Sequence, residues 1–188
     1  VVRPQQREFV KEHFKATVRG EQVSPYEFSY KRAAQDIAWA QISTTPIKKD
    51  GRVVGVLGVI MDITKRAQSE EALKESEKKY RTLFEDSRDG IFITDKTGIL
   101  TDVNQSFLNL FGYTKEETKK LRAIDTYVNR DDCITYIKKV QEQGFVEDLK
   151  VKLRKKDGTI MVCRVNGTPL RGPDGAIQGY QGIVREER

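Results

Sequence analysis

One pattern occurs twice along the chain, and that repeat limits the fold more than any other feature. Residues 45–66, TPIKKDGRVVGVLGVIMDITKR, and residues 168–188, TPLRGPDGAIQGYQGIVREER, share a Thr-Pro pair, an Asp-Gly turn and a Gly-x-x-Gly, with one extra residue in the second turn. Upstream, YEFSYKRAAQDIAWAQIST (26–44) lies over LKVKLRKKDGTIMVCRVNG (149–167), strand over strand and turn over turn. Farther back, REFVKEHFKATVRGEQ (7–22) matches DDCITYIKKVQEQGF (131–145), each an amphipathic helix ending at a glycine. Self-similarity of this kind means two copies of one module. Only the second copy is complete, because residues 87–127 have no counterpart before Val1. The inward positions of the first copy, among them Tyr26, Phe28, Tyr30, Ala40, Ile42, Val56 and Ile60, are expected to need partner strands from an upstream extension of about 40 residues or more.

The complete copy reads locally. IFIT (91–94) and ILTDV (99–103) are β-rich runs joined by DKTG, a hairpin signal. Asn104 caps a short helix, QSFLNLF, which stops at Gly112. Thr114 followed by Glu117 has the spacing of a capping box. A longer helix is predicted over 131–143 with Ile134, Ile137 and Val140 on one side. Three strands follow. Leu149, Val151 and Leu153 alternate with Lys150, Lys152 and Arg154, so the first set faces inward; Met161, Cys163 and Val165 oppose Arg164, and Tyr180 and Val184 share a face. The order β-β-helices-β-β-β predicts an α+β fold, a five-stranded antiparallel sheet with its helices on one face.

Between the copies, residues 61–85 are polar and helix-forming. Asp62 stands at a cap position, and Glu70/Lys74, Glu75/Lys79 and Glu77/Arg81 have the acid on the N-terminal side, each pair worth roughly 0.2–0.5 kcal/mol. Ser69, Leu73, Ser76, Tyr80 and Leu83 follow a 4-3-4-3 spacing, the seam of a short coiled coil.

Composition excludes several classes. With 37% hydrophobic and 33% charged residues the chain is globular. No apolar run approaches the roughly 20 residues of a membrane span. Residues 1–66 carry 12 Lys and Arg against 7 Asp and Glu, but no basic run is interleaved with stacking aromatics, so the excess reads as a solvated surface and not a nucleic-acid face. Cys133 and Cys163 are far apart and lie in no CxxC, which points to no metal site, no disulfide and a reducing, cytoplasmic setting. There is no phosphate-binding loop, and the single histidine cannot complete a Ser/His/Asp set, so no catalytic residue is expected.

DGIFITDKTGILTDVNQSFLNLFGYTKEE (89–117), the KKDGT turn (155–159) and GVIMDITKR (58–66) resemble the PAS sensory domains with their C-terminal PAC half. On that resemblance residues 1–66 are the C-terminal half of one PAS domain, a helix and three strands; 67–86 are a linker helix; and 87–188 are a complete PAS domain. Asp62 and Thr64 match the family's closing junction, where the second copy has Glu186 and no threonine. The family implies a non-catalytic module of a signal-transduction protein such as a sensor histidine kinase, with an output domain in the same polypeptide.

Haem-type members place an axial histidine on the long helix, which has none in the second copy; His13 in the first lies about one turn too near its glycine. Flavin-type members need a cysteine ahead of that helix, and LRAIDTYVN has none. No cofactor is therefore expected. Two functions remain. In one, the domain relays a signal through a homodimer formed along Leu73, Tyr80 and Leu83. In the other, it holds a small molecule in an apolar pocket of Leu149, Val151, Met161, Cys163, Val165 and Tyr180. Only Tyr180 and Thr101 supply inward polar groups for a ligand, so the sequence favours the relay.

Overall fold

A computed structural model describes residues 2–32 and 36–187. The first copy's turn at 33–35 and the ends of the two expected domains at Val1 and Arg188 lie outside the described residues. The chain divides into two compact units, residues 1–77 and 78–188.

In the first unit helix α1 (Pro4–Val18) accompanies an antiparallel sheet of β1 (Tyr26–Lys31), β2 (Ile37–Lys49) and β3 (Arg52–Asp62) in the order β1-β2-β3. Asp50 and Gly51 both have positive φ, 50° and 77°, giving β2 and β3 the two-residue turn that matches the twist of a hairpin. Tyr26, Phe28 and Ala40 form the small core, with Val10, Tyr30 and Ile42 against it. Two polar clasps hold α1 to the sheet. The buried hydroxyls of Thr17 and Thr44 lie 2.7 Å apart, and the Gln6 side-chain oxygen accepts from the N–H and hydroxyl of Ser29 at 2.7 and 2.9 Å. β3 is left bare: Val54, Leu57, Val59, Ile60 and Met61 are each about 60% exposed. Of the positions expected inside, Val56 is half-buried and Ile60 exposed, because no described residue of this unit covers that end of the sheet.

Helix α2 (Thr64–Glu85) has 22 residues, about 33 Å of helix. Residues 68–83 are all exposed, between buried Thr64 at the start of the helix and buried Phe84 in its last turn. Arg66 and Glu70 pair at 3.2 Å. The three pairs expected from spacing do not close, since an exposed pair gains too little to fix two long side chains.

The second unit has the predicted sheet. β4 (Gly90–Asp95), β5 (Leu100–Val103), β6 (Val146–Arg154), β7 (Ile160–Arg171) and β8 (Ile177–Glu186) are antiparallel in the order β5-β4-β8-β7-β6. Between β5 and β6 run α3 (Gln105–Phe111), α4 (Lys115–Thr118), a 3₁₀ turn (Ala123–Thr126) and α5 (Arg130–Gln143). Local signals set these bounds. The Asn104 side chain caps α3, and Gly112 closes it in the left-handed conformation. Thr114 and Glu117 form both bonds of a capping box.

Two expectations are corrected. Cys133, Tyr136 and Val140 form the buried stripe of α5, whereas Ile134 is 56% exposed. Tyr136 sets this phase: its hydroxyl rests against Gly167 of β7, where a Cβ would overlap it and would stand 2.7 Å from the ring carbon Cζ. Thr101 is exposed and donates to the Ile93 carbonyl, because β5 carries an extra residue where the β4–β5 register shifts between Ile93 and Thr94.

Candidate functional site

The second unit encloses a cavity of about 240 Å³ between its sheet and the segments that cross it. β4 and β8 supply Phe92, Thr94, Tyr180 and Val184; α3 supplies Phe107 and Phe111; and α5 supplies Cys133, Tyr136, Ile137 and Gln141. The phenyl rings of Phe107 and Phe111 stack 4.4 Å apart as one turn of α3 brings them to the same side. Of the six residues expected to line a pocket, Val165 and Tyr180 do so. Val151, Met161 and Cys163 are buried and Leu149 half-buried, yet all four pack into the core away from the cavity. The rest of the lining comes from other segments, together with Leu153, which alternation had placed inward but not in the pocket.

Polar groups in the lining exceed the two expected. Gln141 Nε2 donates to the Tyr180 hydroxyl at 2.9 Å, and Thr94 Oγ1 donates to the Tyr180 carbonyl. Tyr136 is 4% exposed and its buried hydroxyl has no hydrogen-bond partner among the described residues. Burial pushes the Tyr127 and Tyr136 phenols up and the Cys133 thiol up to about 11, so all three stay protonated at neutral pH. No histidine lines the cavity, and Cys133 lacks the thiolate character of a reactive cysteine.

Asn104, fully buried, ties the cavity wall to the end of α2. Its Oδ1 accepts from the Ile91 N–H at 2.8 Å and the Phe107 N–H at 2.9 Å; its Nδ2 donates to the carbonyls of Phe84 and Asp89, both at 3.0 Å. Two further bonds run alongside: Gln105 N–H to Glu85 Oε2 at 3.0 Å, and Ser106 Oγ to the Ser87 carbonyl at 2.5 Å. Arg185 closes the same end of the unit through two bonds to Asp89, whose carboxyl it holds below the usual range. The cap was legible in the sequence, but the role of Asn104 as a four-bond junction was not, because three of its partners lie 13 to 20 residues upstream.

At the other end of α2, Asp62 Oδ1 accepts from the Thr64 N–H at 2.9 Å, and hydrogen bonding from the side chain and backbone of Thr64, together with Arg32, lowers the pKa of its carboxyl. The Thr64 hydroxyl is buried and accepts from the Trp39 N–H at 2.9 Å. Asp62 and Thr64 thus fix the start of α2 against β2. Leu73, Tyr80 and Leu83 are 61%, 54% and 72% exposed. No helix among the described residues is long and apolar enough to cross a membrane, and no three His, Cys, Asp or Glu side chains among them are grouped to hold a metal.

Known proteins align with both units. A family model described as the PAS fold matches residues 78–186, and a PAS domain model matches residues 2–65. The chain is 42% identical over 57 residues, 30% of its length, to the methyl sulfide methyltransferase-associated sensor of Methanosarcina acetivorans, and 28% identical over 94% of its length to protein y4lL of Sinorhizobium fredii. It spans only 6% and 22% of those two proteins. Among solved structures, a PAS domain from Colwellia psychrerythraea superposes with a TM-score of 0.54 at 28% identity, covering 58% of this chain and 95% of that one. A domain of a sensory box sensor histidine kinase/response regulator from Geobacter sulfurreducens superposes at 0.50 with 26% identity, covering 60% and 96%. Sheet order, helix placement and family models agree: the chain belongs to the PAS family of sensory domains.

Proposed function

We propose that this chain is a non-catalytic, cytoplasmic coupling segment of a larger signalling protein, in which α2 passes a signal between PAS units to an output domain in the same polypeptide. The exposure of Leu73, Tyr80 and Leu83 carries this reading. Three apolar side chains in heptad spacing are each more than half exposed, although Tyr80 and Leu83 stand beside Ile91 and Ile93 of β4, and a second copy of the helix in parallel would bury their open sides. Each buried leucine would contribute about 1.5–3 kcal/mol to that pairing. In the full-length protein, deleting seven residues of α2 is expected to preserve regulation, whereas deleting four turns the seam to the opposite face and abolishes it. If both deletions behave alike, the relay is refuted.

The cavity favours a second role for the same module, in which residues 78–188 hold a small molecule. Its walls combine stacked phenyl rings with fixed hydrogen-bonding groups, as a binding site requires. Asn104 then links occupancy to the helix, since α3 forms one wall and is joined through that residue to the last turn of α2. Haem and flavin are not proposed, because the lining offers neither an axial histidine nor an ionised thiol.

A further inference from the structure

The cavity has charge of one sign only. Lys96 and Arg122 stand in its lining, and no aspartate or glutamate does. Both cations belong to one rim. Arg122 forms a β-bridge with Ile99, Ala123 donates its N–H to the Gly98 carbonyl at 2.8 Å, and the guanidinium donates to the Thr97 carbonyl at 3.4 Å. The turn bearing Lys96 and the segment bearing Arg122 are therefore stitched together. Neither side chain has an ion-pair partner among the described residues. Asp95, the neighbour of Lys96, is committed to its own turn, where it accepts from the N–H groups of Thr97 and Ile99 at 2.8 and 3.0 Å and from the Thr97 hydroxyl.

Behind this rim the walls become apolar, with Leu100, Phe107, Phe111 and Ile137. Two unpaired cations beside a low-dielectric hollow attract an anion more strongly than the same charges would in open water. The guanidinium fork suits a carboxylate, and charge-assisted bonds of this kind are about twice as strong as neutral ones. At about 240 Å³ the hollow is smaller than the roughly 300–1,000 Å³ of sites for drug-sized ligands, which limits the body of the guest to a ring or a short chain.

We infer that the cavity takes a small amphiphilic carboxylate, its apolar body against Phe107, Phe111 and Ile137 and its carboxylate at the rim between Lys96 and Arg122. The inference rests on the reading of the cavity as a ligand site. Titration calorimetry of the 188-residue chain with 4-phenylbutyrate and with its uncharged amide compares two guests of one shape. The carboxylate is expected to bind at least about tenfold more tightly, which corresponds to ~1.4 kcal/mol. The double variant Lys96→Gln/Arg122→Gln, at two exposed positions, is expected to erase that preference, so that carboxylate and amide bind alike. Equal affinities in the unmodified protein, or a preference that survives in the double variant, would overturn the carboxylate assignment alone. If neither compound binds, the ligand reading itself is refuted, and the carboxylate assignment with it.

Discussion

Replacing Asn104 with alanine should cost the second unit more than its small size suggests. The side chain is fully buried and makes four hydrogen bonds, two as acceptor and two as donor. Alanine would leave the N–H groups of Ile91 and Phe107 without an acceptor in a site closed to water. Each orphaned donor costs about 1–3 kcal/mol, a range that already contains the typical ~1 kcal/mol of a lost helix cap. The carbonyls of Phe84 and Asp89 add less, because a carbonyl tolerates incomplete pairing better than an N–H. The expected loss is about 3–5 kcal/mol, a large part of the 5–15 kcal/mol that typically separates folded from unfolded domains. Urea denaturation of the whole chain, with hydrogen exchange of peptides covering residues 84–107, reads both the magnitude and the place. Asn104→Asp keeps the acceptors but loses both donors and buries a charge. The introduced carboxyl would have a raised folded pKa, so its penalty should shrink as pH falls towards ~4, the unfolded value. A loss under ~1 kcal/mol for Asn104→Ala, or an aspartate variant as stable as the parent at pH 7, would refute the junction.

Two further outcomes test other contacts. Gly167→Ala should destabilise by about 1–3 kcal/mol through overlap with Tyr136, and Tyr136→Phe should cost little, because the hydroxyl it removes has no partner. Combining them should recover part of the loss in thermal denaturation, and strictly additive effects would show that the two residues do not meet. Glu117 accepts from Lys156 at 2.7 and 2.9 Å and from the Thr114 N–H, which together hold its carboxyl down at about 2. A depressed folded pKa means stabilisation that is present above the unfolded value of ~4.3 and is lost as pH falls through 2. Lys156→Ala should therefore move the NMR titration of Glu117 upward, and an unmoved titration would exclude the ion pair.

Sequence reasoning succeeded wherever one residue decides a local geometry. Asn104, Gly112 and the Thr114–Glu117 box each fix a helix end through bonds to backbone a few residues away, so spacing alone reveals them. Alternation also found the buried faces of β6 and β7. It failed where a strand carries an irregularity: the extra residue in β5 turned Thr101 outward, and the shift between Val146 and Leu149 left Leu149 half-buried. The phase of α5 was missed because hydropathy ranks Ile134 above Tyr136, while packing rewards the side chain that finds a vacancy, and Gly167 provides one. The cavity was out of reach for a related reason. Its walls come from all five strands, α3, the 122–127 stretch and α5, and no periodicity in a single segment records which of them meet.

Thr44 and Gly167 occupy the same place in the repeat, and the two copies join helix to sheet there in different ways. In the first copy the strand presents a hydroxyl that grips Thr17 on the facing helix, closing helix onto sheet with a short bond. In the second copy the strand presents only a hydrogen, and an aromatic ring from the helix stands there like a prop. Helix and sheet of the second copy thus meet at one strand position that carries no side chain, and a mutation that supplies one would press on Tyr136, a wall of the cavity.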